Sequence, residues 1–109
     1  MIVIDVVLDS AELLKSCRVS GHAHAGPKGG DIVCAAVSIL TRTALHILSL
    51  AEGIVVRGGP LERGVFLMET EYTAAGKETL FVAGAFLIEG LYSVFEEYPD
   101  YCAMTIRRN

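Results

Sequence analysis

The chain has 109 residues, of which 52% are hydrophobic and 20% are charged, and its formal net charge is −4 at pH 7. This length is typical of one domain, and we interpret residues 1–109 as a single domain. The acidic balance argues against direct nucleic-acid binding, because phosphate contacts require a basic surface.

Composition also limits the location and the assembly of the protein. The sequence shows no basic segment followed by an apolar segment and a cleavage site, so we expect a cytoplasmic protein. Charged residues and glycines interrupt both long apolar runs, and we therefore expect no membrane span. Three cysteines without C-x-x-C spacing indicate reduced thiols, and we expect no cofactor and no metal site. The high apolar fraction predicts a homodimer.

The first half of the chain is predicted to form two strands and a long helix. Residues Ile2–Leu8 alternate in hydrophobicity, and a short turn leads to a second strand, Leu13–His22, which predicts a hairpin. Residues 23–30 contain three glycines and one proline, so they are predicted to form a loop and a candidate lid. Asp31 is a good N-cap for the apolar helix that follows, which extends to about Leu50.

The second half of the chain repeats the same order of elements. Two strands, Ile54–Arg57 and Val65–Tyr72, are joined by a loop that contains glycine and proline. A second helix runs from about Lys77 to Glu97 and ends before Pro99, and a last strand spans Cys102–Arg107. The predicted fold is an α/β (α+β) two-layer ββαββαβ arrangement, with a mainly antiparallel sheet and both helices packed on one side.

One cysteine occupies a position suited to nucleophilic chemistry. Cys34 follows the predicted N-cap by three residues, where the helix dipole and unpaired backbone N–H groups favour a thiolate. His22 stands at the end of the second predicted strand, and an imidazole within reach would supply the base. His24 competes for that role from within the loop. The residues alone also allow Cys34 to be an inert core cysteine, because its neighbours are apolar.

Five further residues are candidates for supporting roles. Asp31 caps the helix, orients the imidazole of the histidine, or does both. Ser38 lies one helical turn after the cysteine and is predicted either to line the pocket or to belong to a polar stripe of the helix. Gly21, Gly29 and Gly30 are predicted to be backbone hinges of the loop.

Two segments resemble the signature of the Prp family, the bacterial ribosomal-processing cysteine proteases. They are residues 21–23 (Gly-His-Ala) and residues 31–38 (Asp-Ile-Val-Cys-Ala-Ala-Val-Ser). The resemblance extends to the twelve-residue separation of His22 and Cys34, to the glycine before the second segment, and to residues 97–101 (Glu-Tyr-Pro-Asp-Tyr). The order of elements is similar as well, so the resemblance covers essentially the whole chain.

The resemblance implies a function and a partner. Members of the family are small dimeric α/β proteins in which a Cys–His pair removes an N-terminal extension from ribosomal protein twenty-seven of the large subunit. By position, Cys34 would be the nucleophile and His22 the base. The loop between them would become ordered over the substrate, which is the N-terminal segment of that ribosomal protein.

Two other classes of function remain compatible with the residues. The first is a non-catalytic ribosome-associated adaptor of the same fold, in which Cys34 would be buried and the acidic, apolar surface would contact proteins. The second is a redox-sensing thiol protein, which would need a resolving cysteine such as Cys17 near Cys34.

Overall fold

The computed structural model describes residues 1–21, 29–62 and 64–109, and for residues 29–31 it describes the backbone only. A short 3₁₀ turn, Ala74–Gly76, precedes the second helix. The main elements follow the predicted order and are β1 (Ile2–Leu8), β2 (Leu14–Ser20), α1 (Gly29–Leu50), β3 (Ile54–Glu62), β4 (Val65–Tyr72), α2 (Lys77–Glu97) and β5 (Cys102–Arg108).

The five strands form one mixed sheet in the order β3-β4-β2-β1-β5. The β1–β2, β2–β4 and β3–β4 pairs are antiparallel, and β1–β5 is parallel. This arrangement confirms the mainly antiparallel sheet. The first hairpin places β1 and β2 at the centre, and the second hairpin pairs with β2 through β4. The strands β3 and β5 are therefore the two edges of the sheet.

Both helices pack against the same side of this sheet. Alternate residues of β1, namely Ile2, Ile4, Val6 and Leu8, are buried and share one core cluster with both helices. Because successive side chains of a strand point to opposite faces, this pattern identifies one buried face. The helix residues of the core are Val33, Val37, Ala44 and Leu48 of α1 and Leu80, Leu87, Leu91 and Val94 of α2. The two-layer prediction is confirmed.

The turn between β1 and β2 is held by a carboxylate. One oxygen of Asp9, Oδ1, accepts hydrogen bonds from the backbone N–H groups of Ala11 and Leu13, at 2.8 and 3.0 Å. The other, Oδ2, accepts from the Tyr72 hydroxyl at 2.6 Å and so ties the turn to the end of β4. Burial alone would raise the pKa of Asp9, but these hydrogen bonds outweigh it and hold the pKa below its usual value.

The third strand is longer than the sequence predicts. Residues 58–62, predicted as a loop, continue β3, where Gly58 pairs with Met68 and Pro60 with Phe66. Proline is tolerated here because β3 is an edge strand, which does not need every N–H for pairing. The register shifts between Pro60 and Glu62, which indicates a bulge near the turn.

The start of the first helix is also corrected. The helix α1 begins at Gly29, so Gly29 and Gly30 lie in its first turn rather than in a hinged loop. Asp31 lies within that turn and is not the N-cap. An acidic residue is favourable in the first turn because the positive end of the helix dipole lies there. The predicted lid falls mostly on residues 22–28, which lie outside the described residues.

The outer faces of both helices carry exposed apolar side chains. By length and composition alone, Ile32–Leu50 and Ala74–Glu97 are apolar enough to cross a membrane, despite the interruptions noted in the sequence. This is weak evidence for a span, because core helices of soluble proteins have the same character.

Candidate active site

A cavity of about 360 Å³ opens beside Cys34, between the N-terminal half of α1 and the ends of the strands. Its walls combine an apolar surface with a few polar side chains. The apolar residues are Ile2, Val19, Val37, Val65 and Phe66, and the polar ones are Ser38, Thr41, Arg42 and Glu62. A concave site with this mixture is typical of ligand-binding pockets.

One face of α1 forms a wall of this cavity. Cys34, Ser38 and Arg42 follow one another at intervals of four residues, so each lies about one turn after the last. The buried Thr41 also lines the cavity, but its hydroxyl donates to the carbonyl oxygens of Val37 and Ser38, at 2.9 and 3.2 Å. Thr41 is thus satisfied within the helix, whereas Ser38 and Arg42 are exposed in the wall of the cavity.

The structure separates Cys34 from the other two cysteines. Cys17 is fully buried, and burial, with a smaller contribution from the negative charge of Asp5, raises the pKa of its thiol to about 12. Cys102 is 1% exposed, and burial raises its pKa as well. Cys34 is only partly buried and is the one cysteine that lines the cavity. A thiol must be accessible to act as a nucleophile, so Cys34 is the candidate.

Cys34 lies deeper in α1 than the sequence predicts. It follows the first helical residue, Gly29, by five positions rather than following an N-cap by three. The backbone N–H groups without partners in a helix are those of its first turn, so the N–H of Cys34 belongs to the internal hydrogen-bond ladder. The contribution of the helix dipole at Cys34 is correspondingly smaller than predicted, because it decays beyond the first turn.

The predicted base follows directly after a residue of the cavity wall. Gly21 lines the cavity, and its N–H donates a hydrogen bond to the carbonyl of Gly64 at 3.0 Å. Its φ of +90° is in the region that favours glycine. His22 is the next residue along the chain, but His22 and His24 lie outside the described residues.

The candidate residues are therefore brought together in part. Cys34, Ser38 and Gly21 line one cavity. Gly29 and Gly30 belong to the first turn of α1, as does Asp31, whose predicted role in orienting the imidazole stays a prediction.

The wall opposite α1 was not predicted from the sequence. Pro60, Glu62 and Gly64 of the second hairpin line the cavity, as do Val65 and Phe66 of β4. This wall exists because β3 continues through residues 58–62 and pairs with β4 up to the Glu62–Val65 pair. The glycines and proline obscured that continuation in the sequence, and no local signal placed these residues opposite the cysteine.

The family described as cysteine protease Prp matches residues 1–103 of the chain. The chain belongs to this family. It is therefore a cysteine protease by descent, and the resemblance found in its sequence motifs is confirmed. No curated protein matches the sequence of this Prp family member significantly.

Solved structures of other proteins share the fold of this Prp family member. The ribosomal processing protease Prp from S. aureus, in complex with a covalently linked product peptide, is 20% identical with a TM-score of 0.81, covering 97% of this chain and 99% of that one. The S. aureus Prp in complex with a substrate peptide is 19% identical with a TM-score of 0.80, and the match again covers 97% of this chain and 99% of that one. SMU.848 from Streptococcus mutans is 26% identical with a TM-score of 0.81, covering 100% of this chain and 96% of that one. These similarities confirm the predicted α+β fold.

Proposed function

We propose that this Prp family member is an endopeptidase that removes the N-terminal extension of ribosomal protein twenty-seven of the large subunit, with Cys34 as nucleophile and His22 as general base. The observation that carries the proposal is the accessible thiol of Cys34 in the wall of a cavity, in a chain of a cysteine protease family. The S. aureus relative, which shares the fold, is a ribosomal processing protease. We place the protein in the cytoplasm, where such a substrate is made.

The proposed reaction has two stages. The sulfur of Cys34 attacks the carbonyl carbon of the scissile peptide bond while His22 takes the thiol proton. The C–N bond then breaks as His22 protonates the leaving amine, which leaves a thioester on Cys34. In the second stage His22 takes a proton from a water molecule as the water oxygen bonds to the thioester carbon. The C–S bond then breaks, His22 returns the proton to the sulfur, and the released carboxylic acid loses its proton to solvent. The S. aureus complex with a covalently linked product peptide supports chemistry of this kind in the family.

The test is cleavage of a peptide that spans the extended N-terminus of the source organism's own ribosomal protein. Products are identified by mass spectrometry, and His22→Ala is compared with His24→Ala. We expect His22→Ala to lose most of its turnover and His24→Ala to keep most of it. The reverse result would exchange the roles of the two histidines, and unaffected turnover in both variants would contradict the proposed base.

The adaptor alternative is less well supported than the protease. An adaptor would require Cys34 to be inert and buried, whereas this thiol is partly exposed and lines a cavity. A redox role has no support either, because Cys17, the suggested resolving cysteine, is fully buried in the core.

We also propose that the protein is a homodimer that buries the outer faces of α1 and α2. An apolar groove of about 860 Å³ lies between the two helices, and Ile39, Val82 and Phe86 line it while exposing 63%, 61% and 72% of their surfaces. Soluble proteins rarely leave such contiguous patches open to water. A second copy is the favoured occupant because the net charge of −4 would be repelled by an anionic membrane surface.

The dimer is tested by light scattering coupled to size-exclusion chromatography. Phe86→Glu places a charge in the groove and is expected to give a monomer, because its carboxylate would be buried without a partner. Val55→Glu, which changes another exposed apolar residue on the edge strand β3, is the matched control and is expected to stay dimeric. A wild-type monomer, or wild-type protein that sediments with anionic vesicles, would contradict the proposal.

A further inference from the structure

We infer that Arg42 is a specificity-determining residue, which binds a carboxylate side chain of the peptide substrate three or four residues from the scissile bond. The inference rests on the proposed function, because it concerns the same cavity. It adds a preference for charge that neither the family nor the fold assigns.

The first observation is that the guanidinium of Arg42 has no partner in the described part of the chain. Arg42 lines the cavity, and no hydrogen bond or ion pair joins it to a described residue. By contrast, Arg57 is paired with Glu71 and Arg108 with Glu12. A guanidinium is suited to carboxylates because its planar N–H groups bind both oxygens together.

The second observation is the spacing along α1. Arg42 follows Cys34 by eight residues and lines the same cavity, and this spacing corresponds to about 12 Å along the helix axis. An extended peptide advances about 3.3 Å per residue, so this distance corresponds to three or four substrate residues. A peptide lying along α1 with its scissile carbonyl at Cys34 would therefore bring such a residue to Arg42.

The third observation is the distribution of charge across the cavity. Glu62 lies on the opposite wall, at the end of β3, and no ion pair joins it to Arg42. The two charges therefore face the same space without neutralising each other at contact distance. The helix side of the cavity favours an acidic side chain and the strand side disfavours it. This asymmetry would orient the substrate as well as select it.

The experiment compares peptides that carry Glu, Gln or Lys at the positions three and four residues to either side of the cut. The parent peptide spans the extended N-terminus of the ribosomal protein, and each position is changed singly. At one of these positions the wild type is expected to cleave the Glu peptide about tenfold better than the Lys peptide, measured as kcat/KM, because the guanidinium binds the carboxylate. The preference stays near this size because Arg42 is exposed and solvent screens its charge. The difference should appear mainly in KM and should shrink at high salt.

Two variants assign this preference to its source. Arg42→Glu is expected to reverse the order of the Glu and Lys peptides. Arg107→Gln removes a positive charge from β5, away from the cavity, and is expected to keep the order of the wild type. Glu62→Gln is expected to increase the preference for Glu. If the wild type, Arg42→Glu and Arg107→Gln all show the same ratio of Glu-peptide to Lys-peptide cleavage, the proposal is overturned.

A binding measurement separates failure of this inference from failure of the proposed function. If the wild type cleaves none of the peptides, the proposed function fails. The same peptides, labelled with fluorescein, are then tested by anisotropy with the wild type and Arg42→Glu. Tighter binding of a Glu peptide by the wild type, reversed in Arg42→Glu, would support the role of Arg42. Equal affinities for Glu and Lys peptides, or no binding at all, would overturn it.

Discussion

A substitution at Gly21 tests how the fold positions the site. Gly21 ends the segment that leads from β2 towards His22, and it lines the cavity with a φ of +90°. A Cβ atom built at this position overlaps the backbone carbonyl oxygen of Met1. Gly21→Ala therefore adds backbone strain and a steric overlap that no change of side-chain rotamer can relieve. The backbone must therefore shift at the residue that directly precedes His22, the predicted base.

The expected cost is moderate for stability and larger for activity. A non-glycine residue in this conformation costs about 1–3 kcal/mol, which corresponds to a fall in Tm of roughly 4–12 °C for a domain of about this size. A typical domain has about 5–15 kcal/mol of stability, so most of the variant should stay folded at 25 °C. A displacement of about 1 Å in a catalytic group can cost about 100-fold in rate. We therefore expect kcat/KM of Gly21→Ala to fall by roughly tenfold or more.

Gly58→Ala is the matched control for this prediction. Gly58 has a φ of +107°, and its added Cβ would overlap the backbone carbonyl oxygen of Leu67, but Gly58 does not line the cavity. Thermal unfolding should show a similar loss of stability, while peptide cleavage by the folded protein should stay near the wild-type rate. Cleavage at the wild-type rate by Gly21→Ala, or an equal loss of activity in Gly58→Ala at equal stability, would contradict this prediction.

Two further predictions concern the thiols and the turn between β1 and β2. In the native protein iodoacetamide should modify Cys34 alone, because Cys17 and Cys102 are buried and their pKa values are raised, that of Cys17 to about 12. Peptide mapping checks this, and native labelling of Cys17 or Cys102, or none of Cys34, would contradict it. Tyr72→Phe removes one of the hydrogen bonds that together hold the pKa of Asp9 below its usual value, so the variant should melt below the wild type at pH 7. A depressed carboxyl pKa stabilises the fold at pH values above the unfolded pKa of about 4. This stabilisation is lost as the pH falls through the folded pKa. The difference in Tm between the two proteins should therefore shrink in acid. A difference that stays constant down to about pH 2 would show that the carboxylate is not involved.

The sequence predicted most of the fold because its periodic segments are long. Ile2–Leu8, Val65–Tyr72 and Lys77–Glu97 have the predicted bounds, since their hydrophobic alternation or helical pattern is sustained to both ends. The extension of β3 was missed because glycine and proline usually end a strand, and only its place at the sheet edge makes them tolerable. The start of α1 at Gly29 was missed because two glycines favoured a loop.

The candidate site was also predicted only in part from the sequence. Cys34 and Gly21 were predicted together from their motifs, and the cavity brings them together. Arg42 carried no signal of its own in the sequence, and Glu62 was assigned to a loop. Their shared cavity depends on the register of β3 with β4 and on the packing of α1 over that pair. Such long-range contacts leave no periodic pattern in the local sequence.

Cys34 is the proposed nucleophile of this peptidase. The most direct measurement is cleavage of the peptide spanning the extended ribosomal N-terminus by wild type and by Cys34→Ala, followed by mass spectrometry, with melting curves to show that both are folded. We predict that the wild type cuts one bond and that Cys34→Ala cuts none. Equal cleavage by folded Cys34→Ala, or an intact peptide after incubation with folded wild type, would contradict the account.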